Sequence, residues 1–251
     1  MKNVLFSLAI ALGVVAPASG FAQTLKAYGP GGPAPAMKEA AQAYEKKTGV
    51  KVEITAGPTP QWKDQARTDA DLIFSGSEHM MADFVKALEG AIVEPSIQPM
   101  YLRPLAILVR PGNPKRIKGA EDLFKPGLKV LVVNGAGQTG AWEDMAGRTG
   151  EIEKVRALRR NIVSQAANSA EARDKWTQDA SIDVWLIWNI WQVSNAKLAD
   201  AVPIEPRYAI YRDSGIALTQ RGAANPQAKA FMDFLLSPEG AAIFRRWGWK
   251  A

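Results

Sequence analysis

The sequence contains no cysteine and a single histidine, His79, and this scarcity excludes several kinds of site. Thiolate zinc sites, iron–sulfur clusters, c-type haem and thiol nucleophiles all require cysteine, and His-rich zinc sites require more than one histidine. His79 lies near a predicted helix start with no serine or carboxylate partner evident, so we expect a structural role for it. We therefore expect no metal, no cofactor and no catalytic residue.

The sequence also lacks long runs of basic residues. Lys and Arg number 31 against 25 Asp and Glu, for a formal net charge of +6, yet no basic run exceeds two residues. An overall positive balance without clusters is weak support for nucleic-acid binding and better support for an acidic small ligand.

The long apolar stretch of the sequence lies in the first 22 residues, MKNVLFSLAIALGVVAPASGFA. Lys2 supplies a positive start, the apolar core at 4–16 is too short to cross a bilayer, and small residues precede a cleavage point before Gln23. No lipid-attachment cysteine or twin-arginine pair accompanies it. The pattern predicts a secretory signal at 1–22, a periplasmic mature chain and no membrane span in that chain.

Short apolar runs alternate with helical patterns along the rest of the chain, which is typical of an α/β protein with a mainly parallel sheet. The clearest helix follows a strand at 25–28, since Met37, Ala40, Ala41 and Tyr44 share one face and Gly49 ends it. Further strands are predicted at 50–56, 70–74, 102–109, 129–133, 182–188 and 209–219. We expect a first lobe from 23–101 and 206–251 and a second lobe at 102–205.

Several predicted strands end at clusters of small residues that begin helices. These clusters are GPGGP at 29–33, SGSE at 75–78, NGAGQTG at 134–140, and Asn168 with Ser169. The first N–H groups of a helix lack internal acceptors and carry partial positive charge, so they suit anions. In open α/β sheets, such starts gather at the carboxyl ends of the strands, where ligands bind.

Ordinary capping is the alternative for each cluster. SGSE fits a capping box in which the Ser75 hydroxyl and the Glu78 carboxylate satisfy their own helix. Ser75 would then bind nothing, while Gly76 and Ser77 could still face a ligand. Gly135, Gly137 and Gly140 also match a dinucleotide fingerprint, but no acidic ribose ligand is placed at the end of a following strand.

Three further residues are candidates. Arg103 lies at the predicted lobe crossing, where a guanidinium can pair with a carboxylate or phosphate, or else form an inter-lobe ion pair. Thr59, between two prolines, offers a hydroxyl either to a ligand or to the next helix. Asn189 follows an apolar strand and would lie at the wall of a cleft.

The segments YGPGGPAPAMKEAA, ITAGPTPQW and DADLIFSGSEHMMADF resemble the accessory colonization factor family of periplasmic solute-binding proteins. That family is similar to the molybdate- and sulfate-type binding proteins of ABC importers. The terminal segment LLSPEGAAIFRRWGW of this chain resembles the last helix of those proteins. The resemblance covers the mature chain and implies a two-lobe type II periplasmic-binding-protein-like fold, with hinge strands and an anion in the inter-lobe cleft. It also suggests a permease as partner.

Matched to the family's cleft loops, the ligand-binding positions implied by the resemblance are Gly31, Gly32, Ser75, Gly76, Ser77, Gln138, Thr139, Asn168 and Ser169, with Asn189 a weaker match. Thr59, Arg103 and Gly140 join them from the residue-level argument. Oxyanion-specific relatives have a Ser-rich first loop, whereas this one is Gly and Pro. The difference favours a phosphorylated or multiply carboxylated metabolite over sulfate or molybdate.

We therefore expect a non-enzymatic receptor that closes on a small anion. One alternative is a periplasmic hydrolase or lyase on the same scaffold, although the sequence has no G-x-S-x-G elbow and no paired histidines. The other is an adhesin or surface antigen, or a colonization factor, whose cleft is vestigial.

Overall fold

The computed structural model describes residues 24–251, so the predicted signal at 1–22 lies outside the described residues. Within residues 24–251, no helix is both long enough and apolar enough to cross a membrane.

Nine strands form one continuous sheet. They are β1 (Leu25–Gly29), β2 (Val52–Ala56), β3 (Leu72–Phe74), β4 (Gln98–Val109), β5 (Val130–Val133), β6 (Ile162–Ala166), β7 (Val184–Trp188), β8 (Asp200–Val202) and β9 (Tyr211–Leu218). Their order is β2-β1-β3-β9-β4-β7-β5-β6, and β8 also pairs with β4.

Helices connect and cover these strands. The α-helices are α1 (Ala34–Thr48), α2 (Lys63–Asp69), α3 (Glu78–Ala87), α4 (Ala141–Gly147), α5 (Ile152–Asn161), α6 (Ser169–Gln178), α7 (Ile190–Ser194), α8 (Gln220–Ala223), α9 (Pro226–Leu235) and α10 (Pro238–Arg246). Short 3-10 turns lie at Thr59–Gln61, Glu94–Ser96, Ala120–Phe124, Ala136–Gln138 and Pro206–Tyr208.

The sheet divides into two lobes joined by long antiparallel strands. In the first lobe β1 pairs in parallel with β2 and β3, and in the second β5 pairs in parallel with β6 and β7. The antiparallel strands β4 and β9 pair with each other between these halves, with Arg103 opposite Arg212. The predicted α/β class is confirmed, whereas the lobe limits at 101/102 and 205/206 stay a prediction.

Local sequence explains the best-predicted elements. The apolar face of α1 is buried at Met37, Ala40, Ala41 and Tyr44, and Gly49 ends the helix with a left-handed φ of 76°. At α10, Ser237 caps the N-terminus by accepting the Gly240 N–H with its hydroxyl, and Pro238 occupies the first turn, as the local sequence SPEG favours.

Other elements were missed or misplaced by sequence reasoning. β4 starts at Gln98 rather than at 102, β8 and α5 were not predicted, and the strand expected before Asn168, which is β6, was given no bounds. β6 carries the mixed sequence IVSQA at the edge of the sheet, with Val163 and Gln165 exposed, so it lacks the continuous apolar run of the buried strands.

Candidate functional site

A cavity of about 290 Å³ lies between the lobes. Its walls are the loops that follow β1, β2, β3, β5, β6 and β7, which is where ligands bind in open α/β sheets. The lining residues are Pro30, Gly31, Gly32, Pro33, Gly57, Pro58, Thr59, Pro60, Gly76, Met80, Arg103, Gly137, Gln138, Ala167, Asn168, Ser169, Ala170 and Trp191.

The structure brings most of the predicted site residues to this cavity. Those that line it are Gly31, Gly32, Thr59, Gly76, Arg103, Gln138, Asn168 and Ser169. Those outside the lining are Ser75, Ser77, Thr139, Gly140 and Asn189. The clusters predicted from sequence therefore converge on one cavity, although not every residue of a cluster faces it.

Arg103 is the charged residue of the cavity wall. It projects from the hinge strand β4, is only 3% exposed, and donates from Nη2 to the carbonyl oxygen of Gly76. Its guanidinium lies 4.8 Å from the ring of Trp188 and 5.4 Å from that of Trp249. These aromatic contacts are favourable for a buried cation but leave its Nε without a hydrogen-bond acceptor.

No carboxylate within residues 24–251 forms an ion pair with Arg103. Asp213 is near enough to favour the charged guanidinium electrostatically, but burial dominates and lowers the pKa of Arg103. Oδ1 of Asp213 instead accepts the backbone N–H of Glu78 at 2.9 Å. The inter-lobe ion pair considered from sequence is absent from the described part of the chain, and the cation faces the cavity unneutralised by contact.

Glycines from both lobes surround this guanidinium. A Cβ atom on Gly32 would lie 2.9 Å from Nη1, and one on Gly76 would lie 2.8 Å from Nη2. A Cβ atom on Gly137, from the second lobe, would lie 3.2 Å from Nη2 and from the Gly76 carbonyl oxygen. The glycines thus make room for Arg103 as well as for a ligand. Gly137 was not among the predicted site residues, although it belongs to the predicted NGAGQTG cluster.

At the start of α3, the capping box considered as the alternative to ligand binding is not formed by Ser75. Ser77, not Ser75, caps the helix, because its Oγ accepts the N–H of Met80 at 3.1 Å. Ser75 directly follows β3 and bonds to β9, since its N–H donates to the Gly215 carbonyl oxygen at 2.8 Å and its Oγ accepts the Gly215 N–H. Together with the bond from the Glu78 N–H to Asp213, these bonds use many of the hydrogen-bonding groups at the start of α3.

The start of α6 is capped by side chains but leaves two backbone N–H groups beside the cavity. Oδ1 of Asn168 accepts the N–H of Glu171 at 3.0 Å, and the Glu171 carboxylate accepts the N–H of Ala167 at 2.9 Å. The N–H groups of Ser169 and Ala170 have no acceptor in the described chain and border the cavity. The Ser169 hydroxyl is bound by Nε2 of Gln138 at 2.5 Å, which ties together two loops of the second lobe.

The remaining predicted residues lie at or beside the wall. Thr59 begins the 3-10 turn Thr59–Gln61 and lines the cavity. Thr139 is exposed, and Gly140 has a left-handed φ of 74° before α4. Asn189 lies behind the wall, where its side-chain amide donates to the Gly248 carbonyl oxygen at 2.6 Å.

Sequence reasoning missed the apolar part of the lining. Trp191, Met80 and Pro33 contribute to it together with other prolines of the first two loops. Trp191 was detectable in principle, since it follows the strand end at Asn189 by two residues. The prolines were visible in GPGGP and GPTPQW, but none of them was named as a site residue.

A profile of the family "bacterial extracellular solute-binding protein" matches residues 25–250 of the chain. The protein belongs to this family. The family resemblance inferred from sequence is confirmed.

Solved structures agree with this assignment. Peb3 from Campylobacter jejuni superposes with a TM-score of 0.84 and is 35% identical, covering 90% of this chain and 99% of that one. PEB3 with L-phospholactate bound gives a TM-score of 0.85. The molybdate-binding protein of Azotobacter vinelandii gives 0.69 at 18% identity, covering 90% and 99% of the two chains. The fold is the predicted two-lobe type II arrangement.

Curated relatives are more distant. The sulfate-binding protein of Escherichia coli K12 is 25% identical over 162 residues, which are 57% of this chain and 49% of that protein. The chain spans about half the length of the curated relatives it matches.

Proposed function

We propose that this solute-binding protein captures a small organic anion, phosphorylated or multiply carboxylated, in the inter-lobe cavity and presents it to the permease of an ABC importer. The observation that carries the proposal is Arg103, a buried cation at the cavity wall without a paired carboxylate. Isolated buried charges are strongly unfavourable, so a ligand that supplies the missing negative charge gains a charge-assisted contact.

The size of the cavity favours an organic anion over a bare oxyanion. About 290 Å³ is close to the lower limit of ordinary small-molecule pockets, and a single tetrahedral oxyanion would leave most of it unfilled. PEB3, which is 35% identical to this chain, was crystallised with L-phospholactate. The Gly- and Pro-rich first loop, which replaces a Ser-rich one, is consistent with a bulkier ligand.

In this proposal the two lobes contribute different groups. Gly31, Gly32, Thr59 and Gly76 border the ligand from the first lobe, and Gln138, Asn168 and Ser169 border it from the second. Arg103 supplies the countercharge, and β4 with β9 allows the lobes to close. Ser75, Ser77, Thr139, Gly140 and Asn189 support these loops from behind or beside the wall.

The cellular setting is part of the proposal. Residues 1–22 direct the chain to the periplasm and are removed, and the ligand is bound and released without chemical change.

The test is calorimetry of the purified protein with L-phospholactate, citrate, sulfate and molybdate, with wild type compared to Arg103→Gln and Arg148→Gln. Arg148 is an exposed arginine of the second lobe outside the cavity lining and serves as the matched control. We expect micromolar or tighter binding of an organic anion, and a loss of at least about 30-fold, or ~2 kcal/mol, for Arg103→Gln only. ³¹P NMR of the phospholactate mixture should show no new phosphorus species.

Absence of binding for every anion would contradict the proposal, as would equal losses for the two arginine variants. Tight binding of sulfate or molybdate with none of the organic anions would restrict the ligand to oxyanions. A new phosphorus signal would identify an enzyme instead.

A further inference from the structure

Two side-chain donors flank the same glycine of the cavity wall. A Cβ atom on Gly32 would lie 2.9 Å from Nη1 of Arg103 and 4.0 Å from Nε1 of Trp191. All three residues line the cavity. The guanidinium from the hinge strand and the indole from α7 therefore meet at one point of the wall, next to backbone that has no side chain.

The Trp191 indole N–H is buried and has no hydrogen-bond acceptor within the described chain. Several other indoles have partners, since Nε1 of Trp62 donates to the Gly57 carbonyl oxygen at 3.1 Å and that of Trp176 donates to Leu198 at 2.9 Å. Trp185, Trp188 and Trp249 also have unpartnered indole nitrogens, but none of these three lines the cavity. A buried donor left without an acceptor is unfavourable by about 1–3 kcal/mol, and only the one at Trp191 is placed to find an acceptor on a ligand.

We infer that Trp191 is a ligand-binding residue whose indole N–H donates to the same anionic group that Arg103 binds. Indole and guanidinium are donors only, so the group between them must be an acceptor, and a carboxylate or a phosphate offers its oxygens to both donors at once. This assignment rests on the proposed function and places the anionic group of the ligand over Gly32.

The surroundings of Trp191 hold it in place. Its ring lies 6.2 Å from the ring of Trp185, a fully buried residue of β7. A Cβ on Gly32 would also lie 3.2 Å from Cδ1 of Ile190, so a side chain at position 32 would fill the space between the two donors. Glycine at position 32 is what leaves that space to a ligand group.

The experiment compares Trp191→Phe with Trp176→Phe in the mature protein, with L-phospholactate and sulfate as probes. Both variants remove one indole N–H and keep an aromatic ring, but Trp176 does not line the cavity and its indole N–H donates to the Leu198 carbonyl oxygen. Calorimetry measures affinity, denaturant unfolding checks that each variant is folded, and ¹H–¹⁵N spectra follow the indole N–H signals. The Trp191 signal is the one missing from the Trp191→Phe spectrum.

We expect Trp191→Phe to bind about tenfold more weakly and Trp176→Phe to bind as wild type does. In wild type, the Trp191 indole proton signal should move downfield on saturation, because a hydrogen bond to an anionic oxygen deshields it. Wild-type binding with unchanged Trp191→Phe affinity would overturn the inference. So would weaker binding without movement of the indole signal, since that result would assign Trp191 to packing alone. Failure of wild type to bind any anion in the wider panel would instead remove the proposed function on which the inference rests.

Discussion

Arg103 donates a hydrogen bond from Nη2 to the carbonyl oxygen of Gly76, in the loop between β3 and α3. This bond fixes one end of a buried cation whose other end, Nη1, faces Gly32. Because the guanidinium is held before any ligand arrives, little side-chain entropy has to be lost on binding. The geometry of the Gly76 loop therefore sets the position of the countercharge.

Gly76→Ala tests this dependence. The added Cβ would lie 2.8 Å from Nη2, closer than real contacts allow, so the guanidinium must shift. We expect anion affinity to fall by about tenfold or more, in line with the loss of one charge-assisted contact. Calorimetry measures the change. Gly147→Ala, whose Cβ would meet only Val155 at 3.6 Å, is the control and should bind normally.

Gly137 is the second-lobe residue that touches the first lobe at this point. Its φ of −72° suits any residue, so alanine at this position adds no backbone strain. The new Cβ would, however, lie 3.2 Å from the Gly76 carbonyl oxygen, Ser77 Oγ and Arg103 Nη2. We expect Gly137→Ala to hold the lobes slightly apart and to weaken binding several-fold without lowering the denaturation midpoint of the free protein.

Small-angle X-ray scattering of the Gly137→Ala variant with saturating anion should give a larger radius of gyration than that of liganded wild type. Equal radii together with equal affinities would show that closure does not depend on this contact.

The sequence predicts those features that depend on local pattern. The buried face of α1, its end at Gly49 and the Ser237 cap of α10 all follow from residues within a few positions of each other. The convergence of the loop clusters on one cavity also follows from local signals, because parallel strands place their carboxyl ends along one edge.

Features that depend on contacts between residues far apart in the sequence could not be predicted. Ser75 is not a cap because its backbone and hydroxyl pair with Gly215, 140 residues further along the chain. Asp213 reaches Glu78 across 135 residues. Arg103 has no carboxylate partner and the Trp191 indole N–H has no acceptor in the described chain. Both properties arise from the packing of the folded molecule and cannot be inferred from the spacing of residues in the sequence.

Asn189 illustrates the limit of a strand-end argument. It follows β7 as predicted, but its side-chain amide donates to the Gly248 carbonyl oxygen at 2.6 Å and so holds the C-terminal segment. We predict that Asn189→Ala lowers the free energy of unfolding by about 1 kcal/mol, the usual contribution of such a hydrogen bond. We expect its anion affinity to stay within about twofold of wild type. Denaturant unfolding and calorimetry measure the two quantities. A large loss of affinity with unchanged stability would show instead that Asn189 binds the ligand.

The pairing of Glu39 with the end of α10 predicts a pH dependence of stability. Its Oε1 accepts the Arg246 guanidinium and its Oε2 accepts Nε1 of Trp247 at 2.6 Å. The hydrogen bond from Arg246, supported by that from Trp247, holds the pKa of Glu39 below its ordinary value of 4.5. Since the folded-state pKa is lowered, the stabilisation is present above the unfolded-state pKa and is lost as the pH falls through the folded-state pKa.

We therefore expect Glu39→Gln to be less stable than wild type at pH 7, by a few tenths to about 1 kcal/mol, because the pair is partly exposed. The difference should shrink as the pH falls below 4.5, where the wild-type carboxylate becomes protonated. Urea unfolding at a series of pH values measures it. Glu45→Gln, an exposed change on the same helix, should show no such convergence. A Glu39→Gln difference that stayed constant down to pH 3 would mean that shape, rather than charge, holds α1 against α10.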